Sequence, residues 1–450
     1  MESAAPRPAR GAELELNIES LAYGGAGVAR ADGYVVFVQG GLPGDRVKAV
    51  VQKSKRAYAE ARAVEVLEPS DDRVEPTVAH PGAPWQALAY ERQLEVKQAQ
   101  VHDAMRRIGR LSGFELEPIV PAVQQWRYRN KLEYSFGADR AGRLICGFHA
   151  PGRWDEIVEI DDCMLGSQTG NAVREGIVEE SRAQALTPFD RRGGGGFLRN
   201  LIVREGRRTG QLQLRLVTGP GELDRVALIG ALPSDASLLW TQTDAAAETT
   251  QGGRTELLAG GEKLEEELGG LRLEISPEAF FQTNTEMAER LYGVALEYAG
   301  LTGFERVYDL YCGIGTIALL LAPRAAEVWG LELVDSAIAD AIENARANEI
   351  DNVHFFAGDV RLALRELVAE AGTPEVLIVD PPRAGLSKKV VRRIIEASPR
   401  RIVYVSCNPT TLAPNAAQLV EAGYALRRVR PVDMFPQTPH IECVALIERE

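Results

Sequence analysis

From about residue 266 the chain alternates short apolar strands with helical patterns, and no other feature restricts its fold as much. Val307-Tyr-Asp-Leu-Tyr311 precedes a helical pattern over 316–321. Glu327-Val-Trp-Gly-Leu-Glu332 precedes one over 336–348, and Val353-His-Phe-Phe356 precedes one over 361–370. Val376-Leu-Ile-Val379 leads into 390–397, and Ile402-Val-Tyr-Val405 into 411–422. Apolar strands separated by helices are buried on both faces. This predicts a doubly wound α/β domain with a parallel sheet over 266–450. Ligands of such sheets bind beyond the carboxyl ends of the strands. Asp309, Tyr311, Glu332, Asp359, Asp380 and Cys407 all fall at or near those ends.

Upstream the rhythm differs. Over 12–70, alternating segments (Leu14–Ile18, Gly33–Val38, Arg46–Val51) lie between turns such as Tyr23-Gly-Gly-Ala-Gly27 and Leu42-Pro-Gly-Asp45. Short strands between Gly-rich turns predict a small β-barrel of the oligonucleotide-binding kind. Lys53, Lys55 and Arg56 then form a modest basic cluster, compatible with a nucleic-acid contact or a solvated hairpin. A helical period runs over about 91–110, a segment placed to pack on the catalytic domain. Read as a strand, Trp126-Arg-Tyr-Arg-Asn-Lys-Leu-Glu-Tyr-Ser-Phe136 carries Arg127, Arg129 and Lys131 on one face and aromatic or apolar residues on the other. That face is either solvated or in contact with phosphates. Strands near 144–149, 156–160, 198–204 and 211–217 make 71–265 a mostly β region. The polar, Gly- and Thr-rich stretch 241–260 reads as a loop or linker.

The 450 residues allow two or three domains. Five cysteines without CxxC spacing argue against a zinc site or a disulfide framework, so a reduced, cytoplasmic protein is expected. No apolar run is long enough to span a bilayer. The Pro/Ala/Arg-rich residues 1–11 lack the apolar core of a signal peptide and read as a disordered tail. The formal net charge of −13 confines any nucleic-acid surface to a local basic patch. A monomer is the default.

Asp309-Leu-Tyr-Cys-Gly-Ile-Gly315 ends one strand and opens a helix, and its glycines allow close approach of a ligand. Glu332, at the end of the next strand, can accept hydrogen bonds from both ribose hydroxyls. Together they form a nucleoside-site signal. A dinucleotide stays possible, although position 318 is Ala and the fuller Gly pattern is incomplete. Asp359 is placed either to meet an adenine edge or to cap a helix. Asp380-Pro-Pro-Arg-Ala-Gly385 follows an apolar strand. Cys407 closes another, where a thiolate can add to an electron-poor pyrimidine and make a ring carbon nucleophilic. A lone Cys at a strand end is more often a small buried hydrophobe, and Cys146, Cys163, Cys312 and Cys443 are read so.

The glycine loop resembles motif I of class I S-adenosylmethionine-dependent methyltransferases. Arg383 stands where amino methyltransferases place an aromatic after Pro-Pro, and the loop lacks the cysteine of RNA cytosine-5 enzymes. Phe280-Phe-Gln-Thr-Asn284, Asp309–Gly313, Asp380–Gly385, Val405-Ser-Cys-Asn-Pro-Thr410 and Met434-Phe-Pro-Gln-Thr-Pro-His-Ile-Glu442 closely resemble the RNA uracil-5-methyltransferases that act on ribosomal RNA and on the tRNA T-loop. The N-terminal module resembles their TRAM domain. The resemblance covers nearly the whole chain. It implies methyl transfer from S-adenosylmethionine to C5 of a uridine, with Cys407 as nucleophile and Glu442 as the base for the C5 proton. Gln282, Tyr311, Gly313, Thr316, Glu332, Asp359 and Asp380 would bind the cofactor. Arg127, Arg129, Lys131 and Arg383 would face RNA, and Arg383 is also a candidate to help ionise Cys407. Large-subunit (23S) ribosomal RNA is favoured as substrate, with tRNA uridine-54 as the alternative. A methyltransferase of the same fold acting on a non-RNA substrate is a further one.

Many TRAM-containing members hold an iron–sulfur cluster on four cysteines. Here 75–90 contains no cysteine. His80 and Ala83 occupy what resemble two ligand positions, and Cys163 a stranded fourth. No cluster and no metal are expected, with His80 a surface residue.

Overall fold

A computed structural model describes residues 7–450. Residues 1–6 of the expected tail lie outside the described residues, whereas the Gly11 N–H bonds the Val51 carbonyl at 2.8 Å. Strands Glu13–Asn17, Ser20–Leu21, Gly27–Ala31, Tyr34–Gln39, Arg46–Ser54 and Tyr58–Glu68 build one six-stranded sheet. Their alternation buries Leu16, Val36, Val38, Val47, Ala49 and Val51 in one small core. The edge strands Glu13–Asn17 and Ser20–Leu21 do not pair among the described residues, so the expected barrel is an open sheet. With two residues, Ser20–Leu21 offers too short a ladder to close it.

The middle of the chain forms a seven-stranded sheet, in the order Ile157–Glu159, Leu144–His149, Lys131–Ala138, Leu198–Glu205, Leu212–Thr218, Ser237–Gln242, Arg254–Ala259. Helix Gln168–Ala183 packs Val173, Ile177 and Val178 into its core, and the Ser167 hydroxyl caps it by accepting from Gly170 N at 2.8 Å. The region is therefore less purely β than its strand signals suggest. Part of the expected linker 241–260 is in the sheet as well, because Arg254–Ala259 pairs with Ser237–Gln242. The strand expected from Trp126 begins only at Lys131. Arg127 adopts φ +55°, which breaks the extended alternation, so Arg127, Arg129 and Lys131 do not share one strand face.

The C-terminal unit carries an eight-stranded sheet in the order Val353–Ala357, Glu327–Glu332, Arg306–Leu310, Val376–Val379, Arg401–Ser406, Glu442–Arg449, Tyr424–Val432, Glu115–Leu116. The first five are parallel and alternate with helices, as the period requires. Helices Thr285–Ala299 and Thr316–Leu321 pack on one core, and Val360–Ala371, Lys388–Ala397 and Pro409–Glu421 on the other. Pieces from before residue 266 join this unit. Helix Tyr90–Asp103 and its continuation place Val101, Ala104 and Met105 in the second core. The hairpin Leu264–Leu268/Leu271–Ile275 places Leu264, Leu268, Leu273 and Ile275 in the first. Among the described residues no helix is long and apolar enough to cross a membrane.

Candidate active site

Strand order reverses between Arg306–Leu310 and Val376–Val379, where chain direction leaves a crevice at the carboxyl ends. Asp309 ends the first of these strands. It is fully buried, and among the described residues no cationic side chain pairs with its carboxylate. Burial, with the nearby Asp380 and Glu332 adding, raises its pKa well above the usual range. Tyr311 turns the chain with φ +66°, and its N–H bonds Leu331 O at 2.8 Å. Gly315 has φ +84°, and a Cβ there would lie 2.8 Å from the Phe355 ring. A Cβ at Gly313 would point into open space. Thr316 starts the following helix and is buried.

The Glu332 carboxylate accepts the N–H groups of Gly313 at 3.2 Å, Leu333 at 2.7 Å and Val334 at 3.0 Å. Those bonds fix its orientation beside the glycine loop. Asp359 caps helix Val360–Ala371 by accepting from Arg361 N at 2.8 Å, and it pairs with the Arg361 side chain, which holds its pKa down. Of the two roles open to Asp359, this geometry carries the cap. Asp380 lies across the crevice, and burial pushes its pKa up to about 7. Helix Thr285–Ala299 brings Tyr292 between Gln282, Asp380, Asp309 and Glu442. Burial, then Asp380, raises its pKa well above the usual value, and a hydrogen bond from Gln282 opposes them. No motif marks Tyr292 in the sequence; only its place on a helix facing this crevice does.

Cys407 and Glu442 meet through sheet register. Strands Arg401–Ser406 and Glu442–Arg449 are antiparallel, with Ser406 opposite Cys443. The ladder ends at that pair; Cys407 and Glu442 are the next residues beyond it on the two strands, and the Glu442 carboxyl acts on the Cys407 thiol. Glu442 is buried, and burial followed by Asp380 raises its pKa well above the usual range, against the pull of Arg383. Cys407 is the one cysteine of the five that is not fully buried. Burial, Glu442 and Asp380 push its thiol up to about 11, and Arg383 pulls the other way. Arg383 therefore opposes the carboxylates without outweighing them, contrary to the simple expectation of an activated thiol. Asn408 caps helix Pro409–Glu421 through Thr410 N at 3.0 Å and donates to the Arg383 carbonyl at 3.2 Å. It thereby ties the Asp380 loop to the Cys407 turn.

The basic residues part company. Arg127 makes a two-pronged pair with Asp162, at 2.9 and 2.6 Å. Half-buried Lys131 pairs with Glu133 at 2.7 Å, and burial lowers its pKa. Arg129 stands 5.6 Å from the Phe435 ring centroid. Arg383 is exposed, and among the described residues no carboxylate forms an ion pair with it.

The model of the tRNA (uracil-5-)-methyltransferase family matches residues 269–450, and that of the TRAM domain matches 8–64. An uncharacterized RNA methyltransferase of Halalkalibacterium halodurans is 38% identical over 97% of this chain and 96% of its own. One of Porphyromonas gingivalis is 39% identical over 96% of this chain and 99% of its own. The chain belongs to the RNA uracil-5-methyltransferase family. A solved member, the Pyrococcus abyssi tRNA (uracil-54, C5)-methyltransferase in complex with S-adenosyl-L-homocysteine, superposes with a TM-score of 0.77. It is 28% identical and covers 96% of this chain and 100% of its own. The fold of this methyltransferase is thus the Rossmann-like catalytic domain behind an N-terminal TRAM region. Where family members hold a cluster, His80 is buried rather than on the surface, and its Nε2 lies 3.2 Å from Cys163 Sγ. Ala83 is fully buried beside them. One thiol already bonded to one imidazole does not suit a four-thiolate cluster. Burial lowers the His80 pKa to about 4, so this contact involves the neutral ring.

Proposed function

We propose that the protein methylates C5 of a uridine in 23S ribosomal RNA, using S-adenosylmethionine and a transient bond between Cys407 and C6. The ladder neighbourhood of Cys407 and Glu442 carries this reading. Uracil C5 is too weakly nucleophilic to take a methyl group unaided. Attack of the Cys407 sulfur at C6 moves the π electrons onto C5 and O4, and the activated C5 takes the methyl group. S-adenosylmethionine supplies that methyl on a positively charged sulfonium. Glu442 then removes the C5 proton, and elimination releases Cys407. A carboxylate with a raised pKa is a strong base in its ionised form, which suits that step. The target base must leave its stack to reach a thiol at a strand end.

The donor pocket fits a cation-bearing nucleoside. Among the described residues no cationic side chain pairs with Asp309 or Asp380, Gly313 faces open space, and Glu332 is held at the end of the neighbouring strand. Gln282, Tyr311, Thr316 and Asp359 are the further residues that this reading assigns to the cofactor. Exposed Arg383 is the best phosphate contact of the four basic candidates, and a reduced cytoplasmic setting suits the free thiols. Incubation with 5-fluorouridine-substituted RNA and S-adenosylmethionine is expected to give an SDS-resistant complex. No complex with the wild type, or one that survives Cys407→Ala, would sink the mechanism.

A tRNA uridine-54 target is the second reading. The Pyrococcus abyssi enzyme aligns over its full length, so an N-terminal module does not by itself select ribosomal RNA. Mass-spectrometric mapping of 5-methyluridine in RNA from a strain lacking the protein decides between the two. Loss from 23S rRNA supports the first reading, and loss from the tRNA T-loop the second.

A further inference from the structure

The N-terminal module reaches the catalytic turn. Its Ala22–Ala26 turn is closed by Ala22 N to Ala26 O at 2.8 Å and Gly25 N to Ala22 O at 2.9 Å. Gly25 has φ +93°, and a Cβ there would sit 3.1 Å from both Pro439 and the Trp85 indole nitrogen, so only glycine lets the turn dock this closely. Leu21 and Leu42 of the module pack with Trp85 and Leu88 in one apolar cluster. Gln100 donates to the Leu21 carbonyl at 2.9 Å. The docked turn carries Tyr23. Its ring packs on the catalytic core, and its hydroxyl donates to the Cys407 carbonyl at 3.4 Å. Burial raises the Tyr23 pKa, and Arg383 beside the hydroxyl counters it.

We propose that Tyr23 is a positioning residue of the catalytic centre, whose hydroxyl braces the Cys407 carbonyl. The assignment rests on Cys407 being the nucleophile. As a neutral phenol, Tyr23 can donate to the carbonyl and still accept from the guanidinium. The carbonyl contact restrains a residue that has just left its strand. Arg383 acts on both the hydroxyl and the thiol and favours the thiolate, so a braced Cys407 stays where that cation helps it. The N-terminal module then contributes to chemistry and not only to RNA affinity.

The test is alkylation of Cys407 by iodoacetamide at pH 9 in the full chain, without RNA or cofactor. Peptide mapping separates it from the four buried thiols. Tyr23→Phe keeps the ring and removes the hydroxyl. Loss of the hydrogen bond to the Cys407 carbonyl is expected to slow alkylation by roughly 3–10-fold. Single-turnover methyl transfer should fall by a similar factor, with KM for S-adenosylmethionine unchanged. A role confined to packing predicts no slowing, since the ring is kept, and any loosening of the turn would expose the thiol and speed alkylation. An unchanged or faster rate in Tyr23→Phe therefore overturns the proposal. Leu21→Ala, which loosens the same turn and keeps the hydroxyl, is the control. A slowing equal to that of Tyr23→Phe also overturns it. The alkylation readout needs no RNA, so a wild type that forms no 5-fluorouridine adduct would sink the uridine reading separately.

Discussion

Asp380 shows how one side chain can link affinity, stability and pH. Burial lifts it from 3.8 to about 7, so the folded protein binds an extra proton between those values. Its contribution to stability is therefore full below about 4 and lost as pH rises through 7. Asp380→Asn should raise the melting temperature at pH 8, with the gain vanishing near pH 4, which differential scanning calorimetry across pH can follow. Binding has the reverse sign, because only the ionised carboxylate attracts a sulfonium. Calorimetric affinity for S-adenosylmethionine should weaken as pH drops from 8 to 6 and stay flat in Asp380→Asn. An equal pH slope in the variant would assign the effect to Asp309 or Glu442 instead. Tyr311, a non-glycine residue at φ +66°, is a second case of local cost at the same crevice.

Among elements, the turn from strand Arg401–Ser406 into helix Pro409–Glu421 does the most. Asn408 both caps that helix and bonds the Arg383 carbonyl, while Thr411 reaches the same carbonyl at 3.4 Å. Asn408→Ala removes a cap worth about 1 kcal/mol together with the tie to the Asp380 loop. Urea denaturation should show a loss of roughly 1–2 kcal/mol, and kcat should fall more than this modest loss suggests. An unaltered kcat would mean that the loop holds its shape without the tie. Helix Gln168–Ala183 illustrates the limits of reading elements locally. Val173, Ile177 and Val178 have helical spacing and Ser167 is a good cap, yet their signal sits among short strands and a β-rich composition.

Across the molecule, the segment leading into Glu442 is held by every unit. Lys97 of helix Tyr90–Asp103 pairs with Asp433 at 2.6 Å, both side chains being fully buried, and it donates to Phe435 O at 3.0 Å. Gln93 and Gln437 exchange bonds of 2.8 and 2.9 Å. Tyr128 of the central region donates to Pro436 O at 3.1 Å, and Gly25 of the N-terminal module abuts Pro439. Removing one partner of a buried ion pair leaves the other charge stranded. Lys97→Ala should therefore cost about 3–5 kcal/mol in denaturant unfolding and lower methyl transfer with it. Lys97→Met with Asp433→Asn should lose less than Lys97→Ala alone, because no charge is left behind. A larger loss in the double variant would place the stabilisation in the other hydrogen bonds of Asp433, such as that from the Tyr90 hydroxyl, rather than in charge pairing.

The five parallel strands and their helices could be read from the chain within a residue or two. Apolar runs and strand-end motifs are local, and a doubly wound sheet turns local order directly into position. For the same reason the sequence places Asp309, Glu332, Asp380 and Cys407 at or next to the ends of parallel strands. What no local pattern carries is pairing across hundreds of residues. The register that brings Cys407 beside Glu442, the Asp162 partner that occupies Arg127, the burial of His80 against Cys163 and the reach of Tyr23 to Cys407 all depend on which surfaces meet. Long-range packing and hydrogen bonding decide those contacts, and no periodicity or motif states which residues will meet.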